Sequence, residues 1–163
     1  MPEVMNSLIE PTQNKPTIIT PEMLAVSPTP PSKPKKPLAE KKTITLCMIV
    51  KDESKVIERC LASVLPVIDH WVILDTGSTD GTQEKIREFF NNVGIPGELH
   101  EEPWVDFGTN RSRALELARD KADYSLMIDA DEVLVYDNDF DPDKFTKGIV
   151  ADIYNIFALY GNK

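Results

Sequence analysis

The 163-residue sequence is short of the residues that several functional classes require. It has only two cysteines, Cys47 and Cys60, without a C-x-x-C spacing, and only two histidines, His70 and His100, isolated from each other. A disulfide framework and a zinc centre built from Cys and His clusters are therefore excluded. The thiols read as buried and reduced, and the histidines as structural or surface groups. No run approaches the roughly 18 consecutive apolar residues of a membrane span, and Met1-Pro2-Glu3-Val4 lacks the basic start of a secretory signal. A soluble, cytoplasmic protein is the expectation. Positive charge is also scarce, with 18 Lys+Arg against 27 Asp+Glu. Residues 1–42 hold six lysines against four glutamates, so residues 43–163 carry a net charge of −11. A body this acidic repels phosphate backbones and excludes a nucleic-acid surface.

Proline, by contrast, is abundant and unevenly placed: nine of 13 lie in the first 37 residues, most densely from Ser27 to Pro37. With little apolar surface to bury and a bias to polyproline II, residues 1–42 read as a disordered arm or linker. A peptide that docks a proline-reading protein partner is the alternative for this arm.

From Thr43 the pattern changes to alternating strands and helices. Ile44–Val50 is a nearly continuous apolar run, as expected of a strand buried on both faces of a parallel sheet. Asp52 stands as a candidate N-cap before the helical spacing of Val56, Ile57, Cys60, Leu61 and Val64. Trp71–Leu74 reads as a second strand, followed by the polar loop Asp75–Thr82 and a helix from Gln83 to Asn91, with Thr79 or Asp80 as its cap. Glu98–Glu101 reads as a short third strand, Asn110–Lys121 as a helix, and Tyr124–Ile128 as a fourth strand. A short helix near Lys144–Ile149 and a strand-like Ala151–Tyr160 follow. The order implies an α/β domain over residues 43–163 with a mainly parallel sheet flanked by helices. Ligands of such sheets bind beyond the carboxyl ends of the strands.

Three polar clusters follow strand ends and so converge on one edge: Lys51-Asp52-Glu53, Asp75–Asp80 and Asp129-Ala130-Asp131-Glu132. Asp129 and Asp131 matter most, because two carboxylates one residue apart repel unless a cation neutralises them. Hard oxygens suit Mg2+ or Mn2+, which in turn hold a diphosphate. A solvated turn is the plain alternative for a lone D-x-D. Asp75 either accepts hydrogen bonds from a ligand or only shapes its turn. Arg111 offers a guanidinium to a diphosphate or to Asp129, whereas Arg113 reads as a surface group. Trp104 and Phe107 pack, or wall the cleft.

These segments, Cys47–Glu53, Val72–Thr82, Asp106–Arg111 and Leu126–Glu132, together resemble the family 2 glycosyltransferases over about residues 43–136. The resemblance implies a GT-A fold, a nucleoside-diphosphate sugar donor, usually UDP-linked, and transfer with inversion. It also assigns roles: Asp75 to the uracil or ribose, Arg111 to the nucleotide, Asp129 to the ribose or sugar, Asp131 to the metal, and Ile49–Glu53, including Val50 and Glu53, to the base pocket, with Ala130 beside them. Many members carry Asp where this chain has Thr76. Members also continue well past the metal motif into a half that binds the sugar, lipid or protein acceptor and supplies the general base. The chain therefore reads as the donor-binding part of a truncated or split enzyme, or as a nucleotide-sugar-binding module that needs a partner. Asp137, Asp139 and Asp141 are bases by residue type only, in what reads as a solvated loop. Asp129–Val133 also fits the D-x-D-x-[TV] pattern of haloacid-dehalogenase-like phosphatases, but that pattern belongs on the first strand of its fold.

Overall fold

A computed structural model describes residues 40–157 and 159. The arm expected over residues 1–42 lies, as far as residue 39, outside the described residues. The elements run β1 (Ile44–Val50), α1 (Ile57–Val64), β2 (His70–Asp75), α2 (Thr82–Val93), β3 (Gly97–Glu101), α3 (Phe107–Ala118), β4 (Tyr124–Met127) and α4 (Pro142–Gly148). The four strands form one sheet in the order β3-β2-β1-β4, and every pairing is parallel.

Position in that order explains the hydrophobic patterns. The central β1 and β2 are apolar and buried on both faces, while the flanking β3 and β4 are only partly buried. Alternation along the strands divides the core into two layers. Leu46, Met48, Val50 and Ile73 pack with Ile57, Cys60, Leu61 and Val64 of α1 and with Ile86 and Phe90 of α2. Cys47, Val72 and Leu74 face the other way, onto Ala114 and Ala118 of α3. The small alanines let α3 lie close to the sheet and bring its N-terminus to the strand ends.

Four local expectations need correction. Asp52 is not an N-cap: α1 begins at Ile57 behind Val56, which makes no side-chain cap. The cap of α2 is Gly81 rather than Thr79 or Asp80, although the Asp80 carboxylate still accepts the Thr82 N–H at 3.1 Å. Among residues 151–157 and 159 there is no strand; Tyr154 instead turns back so that its hydroxyl accepts the N–H groups of Val150 and Ala151. Asp141 is more than a solvated carboxylate, since it accepts from Asp143 and Lys144 and caps α4. No helix of the described residues is long and apolar enough to cross a membrane.

Both cysteines are free and buried. Burial pushes the Cys47 thiol up to about 11 and, with the nearby Glu132 carboxylate, the Cys60 thiol up to about 12. Because the thiolate is the reactive form, a disulfide exchange reagent at pH 8 is expected to titrate almost no thiol in the native protein and both in urea. Rapid native reaction at either position would contradict this packing.

Candidate functional site

The site is assembled from the two loops that follow β1 and β2, which are bonded to each other. The Asp52 N–H donates to Ser78 Oγ at 2.8 Å, and Asp52 Oδ1 accepts the Thr79 N–H at 2.7 Å. Glu53 N–H donates to Thr82 Oγ1 at 2.8 Å, and Ser54 N–H to Asp80 Oδ2 at 3.0 Å. Asp52 holds a left-handed conformation (φ 55°), and Gly77 and Gly81 take positive φ as the tight turn requires. The backbone of residues 52–54 is thus fixed by side chains of the second loop, and Glu53 is aimed over the sheet edge.

Asp75 ends β2 and is fully buried. Its Oδ1 accepts from the N–H groups of Gly77 and Ser78, each at 2.9 Å, and from Gln83 Nε2 at 2.8 Å. Oδ2 has no partner among the described residues. Burial alone would push this carboxyl up, but the hydrogen bonds from Ser78, Gly77 and Gln83 outweigh it and hold it below the usual range. Its neighbour Thr76 is also buried but lies among the residues that line the cleft, and it bonds back to the Val50 carbonyl through both its N–H (2.9 Å) and its hydroxyl (3.0 Å).

Beyond β4 the chain turns tightly through Asp129–Glu132. The Asp129 N–H donates to Glu132 Oε2 at 3.1 Å and the Glu132 N–H to the Asp129 carbonyl at 3.0 Å. Helix α1 braces this turn from below: Arg59 Nη2 donates to the Asp131 carbonyl at 2.9 Å, and Cys60 Sγ to that of Asp129 at 3.5 Å. The role of Arg59 has no sequence signal, because an exposed helical arginine looks alike whatever it reaches. Arg111 Nη2 donates to both Asp129 oxygens, at 2.8 and 3.0 Å. Arg113 pairs instead with Glu102 and Glu116.

These elements enclose a cleft of 360 Å³ at the carboxyl end of the sheet, lined by Ile49, Val50, Lys51, Glu53, Thr76, Trp104, Phe107, Asp129, Ala130 and Asp131. Val50, Glu53, Asp129, Ala130 and Asp131 meet there; Asp75 is fully buried and does not line the cleft, and Arg111 reaches the cleft through Asp129. Burial first, then the carboxylates of Asp131, Asp80, Asp129 and Asp52, push the Glu53 carboxyl up. The cleft therefore has a surplus of negative charge. Asp129 is offset by Arg111, whereas the Asp131 carboxylate has no ion pair among the described residues. Hard carboxylate oxygens in that state fit a divalent cation that also binds phosphate. No three ligating side chains converge on one point among the described residues, so such an ion would need oxygens from its ligand as well.

Comparison with known proteins bears on this arrangement. The profile described as glycosyl transferase family 2 matches residues 45–140. A TPR repeat-containing protein of Synechococcus elongatus is 39% identical over 92 residues, which cover 56% of this chain and 21% of that protein. The SPbeta prophage-derived glycosyltransferase SunS of Bacillus subtilis is 32% identical over 119 residues, covering 72% of this chain and 25% of its own length. The chain thus spans about a quarter or less of these relatives. Among solved structures, a mannosyltransferase from Pyrobaculum calidifontis in complex with GDP-Man and Mn2+ superposes with a TM-score of 0.51 at 22% identity, over 61% of this chain and 31% of that one.

Proposed function

Given that the chain belongs to glycosyl transferase family 2 and has the parallel-sheet core of a GT-A fold, we propose that its cleft binds a nucleoside-diphosphate sugar for transfer to an acceptor with inversion. The observation that supports this most is the meeting of Val50, Glu53, Asp129, Ala130 and Asp131 around one electronegative cleft at the strand ends. Val50, Glu53 and Ala130 would contact the nucleotide. Arg111 would balance Asp129 beside the ribose or sugar. Asp75 would act from beneath, through the turn that presents Thr76.

Asp131, with Asp129 beside it, would hold Mn2+ or Mg2+. When bound, such an ion supplies positive charge to the diphosphate as it becomes the leaving group. In the transfer, an acceptor hydroxyl oxygen bonds to the anomeric carbon while the bond from that carbon to the diphosphate oxygen breaks. The hydroxyl proton must pass to a base within hydrogen-bond reach; none of the cleft residues is assigned that role. UDP is the donor nucleotide implied by resemblance, and GDP is the one named in the mannosyltransferase complex.

Calorimetric titration of the full chain with UDP and with GDP tests the reading. One of the two is expected to bind at least about tenfold more tightly with Mn2+ than without, as a bridging cation requires. Asp131→Asn should remove the Mn2+ dependence. Absence of binding by either nucleotide, or identical Mn2+-dependent binding by the variant, would overturn it.

A further inference from the structure

Between β4 and α4, residues 128–141 form no helix or strand, so no ladder of backbone hydrogen bonds holds the stretch that carries Asp129 and Asp131. Like charge also gathers there: Asp129, Asp131 and Glu132 lie within four residues, and the first two share the cleft with Glu53. Such a segment keeps one arrangement only if other elements supply partners for its backbone.

Those partners come from one helix. Arg59 and Ser63 are four residues apart and so lie along one side of α1, next to the buried Cys60. Arg59 Nη2 donates to the Asp131 carbonyl at 2.9 Å and Cys60 Sγ to the Asp129 carbonyl at 3.5 Å. Ser63 Oγ accepts the Leu134 N–H at 3.0 Å, and the Ser63 carbonyl accepts the Tyr136 hydroxyl at 2.7 Å. Ala130 packs in the same core layer as Ile57, Cys60 and Leu61. Of these contacts, the one that lands on Asp131 belongs to Arg59.

Arg59 is free for that task. Its acidic neighbour Glu58 is taken by Lys85 at 2.8 Å, and Arg59 forms no ion pair among the described residues. A guanidinium on a main-chain oxygen is a directional, charge-assisted contact. The same helix is rooted on the other wall of the cleft, where the Val56 and Ile57 N–H groups donate to the Glu53 carbonyl at 3.0 and 2.9 Å. Through α1, the Asp131 backbone is therefore tied to that of Glu53.

We infer that Arg59 is a positioning residue for the cation site: by holding the Asp131 carbonyl to α1 it sets where the Asp131 carboxylate stands relative to the loop after β1. The inference rests on the nucleotide-sugar reading above, with Asp131 as a ligand of Mn2+ or Mg2+. Groups that hold a metal ligand in place typically change metal affinity by about 10–100-fold when removed. Arg59 grips the ligand's backbone rather than its carboxylate, so the lower end of that range applies.

Charge and position predict opposite results for Arg59→Met, which keeps the aliphatic stem and loses the guanidinium. The readout is the ratio of nucleotide affinity with and without Mn2+, measured by calorimetry on the full chain with UDP and GDP. A positive charge near the site attracts the diphosphate and repels Mn2+. If Arg59 acted by its field alone, Arg59→Met would bind metal-free nucleotide more weakly, and the Mn2+ enhancement would rise. Loss of position instead lowers the enhancement by about tenfold and leaves metal-free binding within about twofold of wild type. Arg59→Lys, which keeps a donor and the charge, should recover most of the loss. Both variants should melt within a few degrees of wild type, because the side chain is exposed. An unchanged or increased enhancement in Arg59→Met would overturn the inference while leaving the nucleotide-sugar reading standing. Equal losses with and without Mn2+, together with a lowered melting temperature, would show a general structural role and overturn it too. A wild type that shows no Mn2+ enhancement with either nucleotide would instead remove the reading on which the inference rests.

Discussion

Replacement of Gly97 by valine is expected to leave the chain unable to fold, and replacement by alanine to lower its melting temperature by about 10 °C or more. Gly97 opens β3 in register with Trp71 of β2. A Cβ at this position would overlap the Trp71 ring at Cγ and Cδ2 and also the Trp71 carbonyl oxygen. Neither neighbour can yield cheaply. The indole is stacked on Phe90 at 4.3 Å with its Nε1 donating to the Ile95 carbonyl at 3.0 Å, and the backbone belongs to a central strand. Overpacking in a rigid core costs about 1–3 kcal/mol, and more where backbone must move, against a total stability of about 5–15 kcal/mol. Gly148→Ala serves as the control, because a Cβ there meets nothing within 4 Å; its melting temperature should move by a few degrees at most. Thermal circular dichroism on the three variants decides the matter, and a Gly97→Ala protein as stable as Gly148→Ala would refute this account of the β2–β3 contact.

That contact also marks the boundary of what could be read from sequence. Central strands were legible because burial on both faces leaves a continuous apolar run, as in Ile44–Val50 and Trp71–Leu74. Their parallel pairing followed from the intervening helices. The origin of α3 was less clear: its apolar spacing begins only at Ala114, whereas its first turn is set by Asp106 and Thr109, whose bonds to each other supply the cap. Asp52 illustrates the opposite failure. It has the composition of a helix cap, but its carboxylate bonds to Thr79 in another loop, and partnerships between loops leave no local trace.

Convergence of Glu53, Asp129 and Asp131 was legible for a simple reason: parallel strands deliver their following residues to one edge. The facing of Asp75 was not. Side chains alternate along a strand, so Leu74 points to α3 and Asp75 to the α2 side, where Gln83 meets it. Which of two adjacent polar residues faces the cleft depends on the strand's last buried position, and Thr76 is the one that lines it. The bracing of Asp131 by Arg59 and of the Trp104 loop by Asn110 belongs to the same class, since both join residues on different elements through a single hydrogen-bonding side chain.

Asp75→Ala is the second large effect expected. Removing the carboxylate deprives two backbone N–H groups and the Gln83 amide of their shared acceptor in a site closed to solvent. Hydrogen bonds to a charged group contribute about 1.5–3 kcal/mol each when measured singly, and they are not additive, so a loss of about 3–4 kcal/mol is expected in urea unfolding. Asp75→Asn keeps an acceptor at Oδ1 and should lose about half as much or less. The pair of variants also separates charge from shape by pH. The folded-state value of Asp75 lies below its ordinary 3.8, so the stabilisation is present in full above about pH 5 and declines as pH falls through the folded value. The stability difference between wild type and Asp75→Asn should accordingly be constant near neutrality and shrink below about pH 4. A difference that stayed level down to pH 3 would show that the hydrogen bonds do not depend on an ionised Asp75. Because this carboxylate fixes the turn that carries Thr76 and receives the backbone of residues 52–54, Asp75→Ala should weaken nucleotide binding as well. Asp75→Asn should bind nearly as the wild type does, because Asp75 acts through the turn; markedly weaker binding by this variant, measured by calorimetry, would refute that role.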